Sequence, residues 1–364
     1  MTEGAKHGTD GFASDLARMR EDAGRSVPVY DRVVSHVLSL LESDSSLSDR
    51  LERVWAGRTF NVHYDRPLLL LAALRADALS TGEAHPLYRA IGIDDPDPDA
   101  ATRSAVEASL ASNRERVYRA LAERWVQTND THRSVIWRWP AWLAGCDGRA
   151  RPLCLVDLGA SAGLNLVAER LHAVWTDPEG APIHVVSSID APVRLGLDAR
   201  PVDLDDPESV CWLRACIWPG DRGRSARLEA GLRAFADARS KGESPTLEKL
   251  DASQFASRLH RVSRDAPGVL VLAYQSYVRG YLPLGVRGAH CEAMHDWLAS
   301  LPPGRAIWVE LEQAKSDPGA SVTVHFSRDE GSVVSSELAR TEHHPVVVSP
   351  NAQVVSILEE TLGR

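Results

Sequence analysis

The chain has 364 residues, of which 44% are hydrophobic and 25% charged, which suits a sizeable buried core and excludes a disordered chain, a collagen-like repeat or a coiled-coil rod. Lys and Arg number 41 against 50 Asp and Glu, a net charge of −9, so the basic face of a nucleic-acid binder is not expected. The five cysteines form an odd set, Met1 to Phe12 holds no secretory apolar stretch, and the longest apolar run is the seven residues Leu68–Leu74. The expectation is a cytoplasmic protein with no membrane span, since a helical crossing takes roughly 20 apolar residues.

Residues 1–11 are polar and read as a frayed tail. Residues 12–148 carry helical periodicity and are expected to form an all-helical N-terminal domain. Tyr30, Val33, Val34, Val37, Leu38 and Leu41 fall on one stripe of a helix after Pro28. Pro67–Leu79 is apolar almost all round and is therefore expected inside a helical bundle, with Arg75 and Asp77 its main charges. Val106, Leu110, Val117, Leu121 and Trp125 mark a third helix, and the run Asp94–Asp99 with its two prolines is a loop. Near Gly145–Arg151 the texture changes to short apolar runs alternating with helical stretches, so residues 149–364 are expected to form a second, α/β domain. The predicted strands are 153–158, 193–197, 246–250, 269–274 and 306–311, followed by 321–326 and a run over 335–348 without a helix between. This order predicts a mostly parallel, doubly wound sheet that ends in a β-hairpin.

The most informative segment is Leu155–Asn165, an apolar strand ending in Asp157, a turn of small residues from Gly159 to Gly163, and a helix start with Leu166, Val167 and Leu171 on one side. Small residues allow a tight turn and the close approach of a ligand to the backbone; a plain strand-to-helix connection explains them as well. A dinucleotide fingerprint is disfavoured because Ser161 stands where its second glycine belongs. Gly159–Gly163 also fits G-x-S-x-G, a hydrolase nucleophile elbow, with Asp251 and His343 or His344 following in order. Against this, everything before Arg151 reads as helix, leaving no earlier strands or oxyanion loop. The third reading is a Rossmann-like S-adenosylmethionine site. Asp157, Gly159, Ser161, Gly163 and Asn165 would line it, Asp198 at the end of strand two would take the ribose, and Asp251 after strand three would take the adenine.

The block 156–166, with Gln127-Thr128-Asn129 before it and Gly196-Leu197-Asp198-Ala199-Arg200-Pro201 and Ile217-Trp218-Pro219 after it, resembles an uncharacterised bacterial domain-of-unknown-function family with QTN, GASAGLNL, G-x-D-x-x-P and WP blocks. The resemblance runs over nearly the whole chain. It implies a methyltransferase-like Rossmann fold under a helical N-terminal region, with no assigned activity or substrate. The family pattern often reads His-Ser at the end of strand four, where this chain has Gln275-Ser276, so a general base at that His would be missing here.

Methyl transfer is an in-line displacement, for which a protein mainly aligns two atoms, excludes water and removes a proton. The ligand is expected at the C-terminal edge of the sheet, where Gln275, Ser276, Tyr281 and Glu312 fall. Glu312 is the leading acid–base candidate, with Gln275 and Tyr281 beside it, and Glu310 is assigned to the opposite strand face; each reads equally well as a solvated or capping group. Gln127, Asn129 and Arg133 are candidates for a small-molecule substrate or for the amino-acid end of the cofactor, or else a cap joining two domains. Trp137, Trp139 and Trp142 read as packing. His290, Cys291 and His295 suggest a metal, but only Cys291 and His295 share a helix face and no second ligand pair has matching spacing, so none is expected; Cys211 and Cys216 are read as structural. The leading expectation is an S-adenosylmethionine-dependent methyltransferase; a non-catalytic binding or assembly protein on the same fold and a serine hydrolase are the alternatives.

Overall fold

A computed structural model of the chain describes residues 9–23, 27–60, 62–148, 151–314, 319–329 and 331–362. The helices before the sheet are α1 (Thr9–Ala23), α2 (Pro28–Ser43), α3 (Ser45–Trp55), α4 (Asp65–Thr81), α5 (Tyr88–Ile91), α6 (Arg103–Ser109), α7 (Glu115–Glu123) and α8 (Val135–Leu143). Then come β1 (Leu153–Leu158), β2 (Val193–Asp198), α9 (Pro207–Ala215), α10 (Arg222–Ser240), β3 (Thr246–Lys249) and α11 (Phe255–Asp265). The chain continues with β4 (Leu270–Ser276), α12 (Val278–Tyr281), α13 (Leu284–Ala299), β5 (Ala306–Gln313), β6 (Ala320–Asp329), β7 (Ser332–Thr341), β8 (Val348–Pro350) and α14 (Ala352–Leu362). It divides into two compact units, Met1–Thr128 with Asp203–Ser225, and Asn129–Val202 with Ala226–Arg364. Residues 129–148, grouped by sequence with the N-terminal helices, therefore lie in the unit that holds the sheet.

In the first unit Tyr30, Val33, Val34 and Val37 of the predicted α2 stripe are buried, Leu38 and Leu41 are partly buried and Leu40 is buried beside them, while α4 is buried on nearly all sides. Its two buried charged residues have partners inside the protein: Arg75 donates to the Ile217 carbonyl, and Asp77 meets His85 at 3.2 Å and Arg116 at 3.3 Å. The third predicted helix is broken in two, because the chain turns at Leu110–Asn113 between α6 and α7; Ser112 and Asn113 favour such a turn. The predicted tail also needs revision. Helix α1 already runs from Thr9, while residues 1–8 lie outside the described residues.

The second unit is α/β. Its sheet has the order β3-β2-β1-β4-β5-β6-β7-β8, parallel from β3 to β5 and antiparallel from β5 to β8. Chain order reverses between β1 and β4, so their C-terminal ends flank the crevice where open α/β sheets hold ligands. All six residues of β1 are buried because both faces are covered. Leu153 and Leu155 pack with α8, Trp175 and α14, while Cys154, Val156 and Leu158 pack with α11 and α13. Trp137 and Trp139 belong to the first of these cores, as packing aromatics. The helix expected directly after the glycine turn is a short 3-10 helix, Leu164–Arg170. Helix α14 was not predicted, although Val354, Leu358 and Leu362 recur at helical spacing and are buried.

The glycines at this edge are needed by the chain itself. Gly159 and Gly163 have φ of 81° and 70°, and a Cβ would stand 2.6 Å from Val278 Cγ2 at the first and 2.8 Å from Leu247 Cδ2 at the second. Gly196 in β2 has no such φ, but a Cβ there would meet Leu247 Cδ2 at 2.5 Å and Ala160 Cβ at 2.8 Å. Gly196→Ala is expected to lose about 1–3 kcal/mol in urea unfolding through overpacking, with part of the loss recovered when Leu247→Ala is added. An unchanged midpoint in the single variant would refute this packing.

Candidate functional site

The glycine turn is held from two sides. The Ser161 amide donates to Asp198 Oδ2 at 2.8 Å, and Asp198 Oδ1 accepts the Arg200 amide at 2.7 Å. Asn129 Nδ2 donates to Ser161 Oγ at 3.0 Å, while its Oδ1 accepts the Ala162 amide at 3.3 Å. These bonds fix Ser161 at φ 51°, a left-handed conformation that costs a residue with a Cβ about 1 kcal/mol or more. Among the described residues the only other non-glycine residue of this kind is Tyr277, at φ 59°, immediately after β4. The two strained residues thus follow β1 and β4, the strands at the reversal. Such outliers persist where surrounding structure over-determines them, and they cluster at functional sites.

Beside Tyr277 lies a second group of contacts. The Tyr277 hydroxyl is 2.5 Å from His343 Nδ1, and the Arg133 guanidinium stands over the Tyr277 ring at 4.6 Å while donating to the His343 carbonyl at 3.2 Å. Burial pushes the Tyr277 phenol up to about 12, against the pull of Arg133. Asp130 is fully buried and binds Arg227 at 2.8 and 3.1 Å and His344 Nδ1 at 2.7 Å. Burial alone would raise its carboxyl, but His344 and Arg227 outweigh it and hold it well below the usual carboxylate range. Asp157 is different. It pairs in register with Tyr274 on β4, and burial, opposed by the Tyr274 hydroxyl and assisted by the Asp198 charge, pushes it up to about 7.

A polar cluster fills the sheet face over β4, β5 and β6. Gln275 is wholly buried; its Nε2 donates to Glu310 Oε1 at 2.7 Å and to Glu312 Oε1 at 3.4 Å, and its Oε1 is 3.2 Å from His290 Nε2. Arg279 bonds Glu310 Oε1 through Nε at 3.1 Å and Glu312 Oε1 through its amide at 2.9 Å. Residues two apart in a strand share a face, so Glu310 stands beside Glu312 and not on the opposite face to which it was assigned. Burial, with the Glu310 charge adding and Arg279 opposing, pushes Glu312 up to about 7. Both protein contacts of Glu312 use Oε1, and Oε2 has no protein partner among the described residues.

The sequence-predicted residues therefore separate into groups. Asp157, Gly159, Ser161, Gly163, Asn129 and Asp198 come together at the turn, and Gln275 and Glu312 meet in the polar cluster. Asn165 sits in the 3-10 helix after the turn with Oδ1 buried and without a hydrogen-bond partner among the described residues. Arg133 meets the His343 carbonyl, the Tyr277 ring and, at 3.5 Å, the Ser276 hydroxyl. Asp251 caps its own turn through Ser253, which holds its carboxyl below the ordinary value. Tyr281 is half exposed on α12. Gln127 lies in the first unit, where its backbone faces Cys216. The groups proposed for a serine triad are engaged separately: Ser161 with Asn129, Asp251 with Ser253, His343 with Tyr277 and His344 with Asp130. Among the described residues no group of three or more His, Cys, Asp or Glu is placed to hold a metal ion, and no helix is long and apolar enough to cross a membrane.

Sequence reasoning missed Asp130, Tyr277 and His325. Tyr277 carried a usable signal, its place directly after a strand end at the ligand edge; the other two work through partners distant in sequence.

The fold and this edge define an α/β protein with two left-handed residues and a hydrogen-bonded glycine turn at the reversal of its sheet. The chain belongs to the family described as uncharacterized protein conserved in bacteria (DUF2332), whose model matches residues 15–349. No curated protein and no solved structure matches it.

Asp157 provides a stability test. Its folded value near 7 lies above that of an exposed aspartate, so the folded form holds a proton that the unfolded chain has released, and stability falls as pH rises from about 4 to about 7. Asp157→Asn should melt like the native chain near pH 4 and be more stable near pH 8, the gap opening by roughly 1.4 kcal/mol per pH unit at most. Parallel stability curves across that range would contradict a protonated Asp157.

Proposed function

We propose that the protein is an S-adenosylmethionine-dependent methyltransferase for a small molecule, built on a Rossmann-like sheet preceded by a helical N-terminal domain. One observation supports this most: the two left-handed residues, Ser161 and Tyr277, flank the sheet reversal, and the first is latched to the acidic end of β2. A carboxylate there suits the vicinal hydroxyls of a ribose, because each Asp198 oxygen accepts one backbone amide and retains a lone pair. Asn165 Oδ1, buried and without a hydrogen-bond partner among the described residues, suits an ammonium donor such as the cofactor's amino-acid end.

When bound, S-adenosylmethionine supplies an electrophilic methyl group; the rest falls to the protein. Asn129 and Asp198 fix the loop before ligand arrives, which lowers the ordering cost of binding. Glu312 combines a raised value near 7 with an Oε2 that has no protein partner among the described residues, properties that suit a general base working at neutral pH. Gln275 lies inside the cluster and orients Glu312, so the base is Glu312 in place of a histidine at position 275. Arg279 keeps the Glu312 carboxylate from being too costly to ionise.

Calorimetric titration with S-adenosylmethionine and S-adenosylhomocysteine tests this reading. Saturable binding is expected, weakened at least about tenfold, or 1.4 kcal/mol, by Asp198→Ala, in a variant whose circular dichroism is unchanged. Absence of binding of both compounds to the folded native chain would overturn it.

A further inference from the structure

The buried cluster extends beyond Glu312. His325 Nε2 lies 3.0 Å from Glu310 Oε2, and its Nδ1 lies 2.7 Å from Ser335 Oγ and 3.2 Å from His295 Nε2. Ser335 Oγ is also 3.3 Å from His295 Nε2. The Trp308 ring stacks on His325 at 4.2 Å, sealing this row on one side. Glu310, His290 and His325 are buried, while His295 is only partly so. A row of groups able to pass a proton thus runs from Glu310 through His325 and Ser335 to the edge of α13.

Counting charge gives this row a role. Gln275 Nε2 donates to Glu310 Oε1, Arg279 Nε pairs with the same oxygen and His325 Nε2 stands 3.0 Å from Oε2, an arrangement that suits a carboxylate, which only accepts. Arg279 balances it. Among the described residues, the other charged or titratable groups around the row are Glu312 on β5 and His290, Cys291, His295 and Asp296 on α13. Burial pushes both His290 and His295 down and Cys291 up, which favours their neutral forms. Neutrality of the buried set then permits two states: Glu312 protonated with His325 neutral, or Glu312 ionised with His325 as an imidazolium. Either mismatched state leaves a net charge in a low-dielectric interior, which is costly.

We propose that His325 is the proton-compensating partner of Glu312, acting through Glu310: each proton Glu312 takes from an acceptor is matched by one that His325 Nδ1 releases through Ser335 Oγ and His295 toward solvent. No bond other than O–H and N–H is made or broken in this exchange, and the cluster ends with the charge it began with. His325 is thus a positioning residue that sets when Glu312 is ionised. The inference rests on the reading of Glu312 as a proton acceptor.

The test is a carbon-13 NMR titration of the unliganded full chain from about pH 5 to about pH 9, following Glu312 Cδ and His325 Cε1. Coupled sites share macroscopic steps, so both signals should show the same two midpoints. His325→Gln should reduce the Glu312 curve to one step, displaced upward by about one pH unit from the lower midpoint of the native chain, and Glu312→Gln should leave His325 a single step. Independent single steps in the native chain, or a Glu312 curve unmoved by His325→Gln, would overturn the proposal. The native measurement decides the point even where a variant does not fold. No S-adenosylmethionine is present, so failure of the cofactor to bind and failure of the coupling are separate results.

Discussion

The hydrogen bond from the Ser161 amide to Asp198 is the constraint on which the candidate site depends. It joins the turn after β1 to the end of β2 and holds a serine in a backbone conformation it would not choose. Asn129 completes the hold from outside the sheet by bonding both the Ser161 hydroxyl and the Ala162 amide. Two side chains thus fix three consecutive polar groups of a turn whose glycines are already closed off by Val278 and Leu247. The turn is rigid for reasons internal to the chain, and a ligand at this edge would meet a preformed surface.

A second feature is the concentration of buried polarity on one half of the sheet. β4 and β5 place Gln275, Glu310 and Glu312 in the layer otherwise filled by Trp297, Trp308 and Leu298. Burying two carboxylates there is unfavourable unless donors are fixed around them. Arg279, Gln275 and His325 meet those carboxylates from three different elements, and His290 holds the Gln275 amide from a fourth. Aliphatic residues of similar volume would pack this layer at less risk, so the cluster is better explained by function than by stability.

The sheet was largely legible in the sequence, because a buried parallel strand is a short apolar run and β1 ends where its run ends, at Leu158. The turn was legible for the same local reason: Gly159 and Gly163 mark the left-handed positions themselves. The rest depends on contacts distant in sequence. Asp130 is defined by Arg227 and His344, 97 and 214 residues away, and no local pattern announces such a partner. His325 looks like one polar residue in an alternating strand until β5 and α13 pack on either side of it. The break between α6 and α7 was hidden by apolar residues that keep helical spacing across it.

Amide hydrogen exchange with and without saturating S-adenosylhomocysteine tests the central claim most directly, since exchange reports the opening of individual segments. A ligand seated at the reversal of the sheet should slow exchange in residues 157–165, 198–200 and 276–279 together, leaving β6 and β7 as they were. Unchanged exchange in those three segments at saturation, or protection confined to other parts of the chain, would contradict a ligand site at this edge.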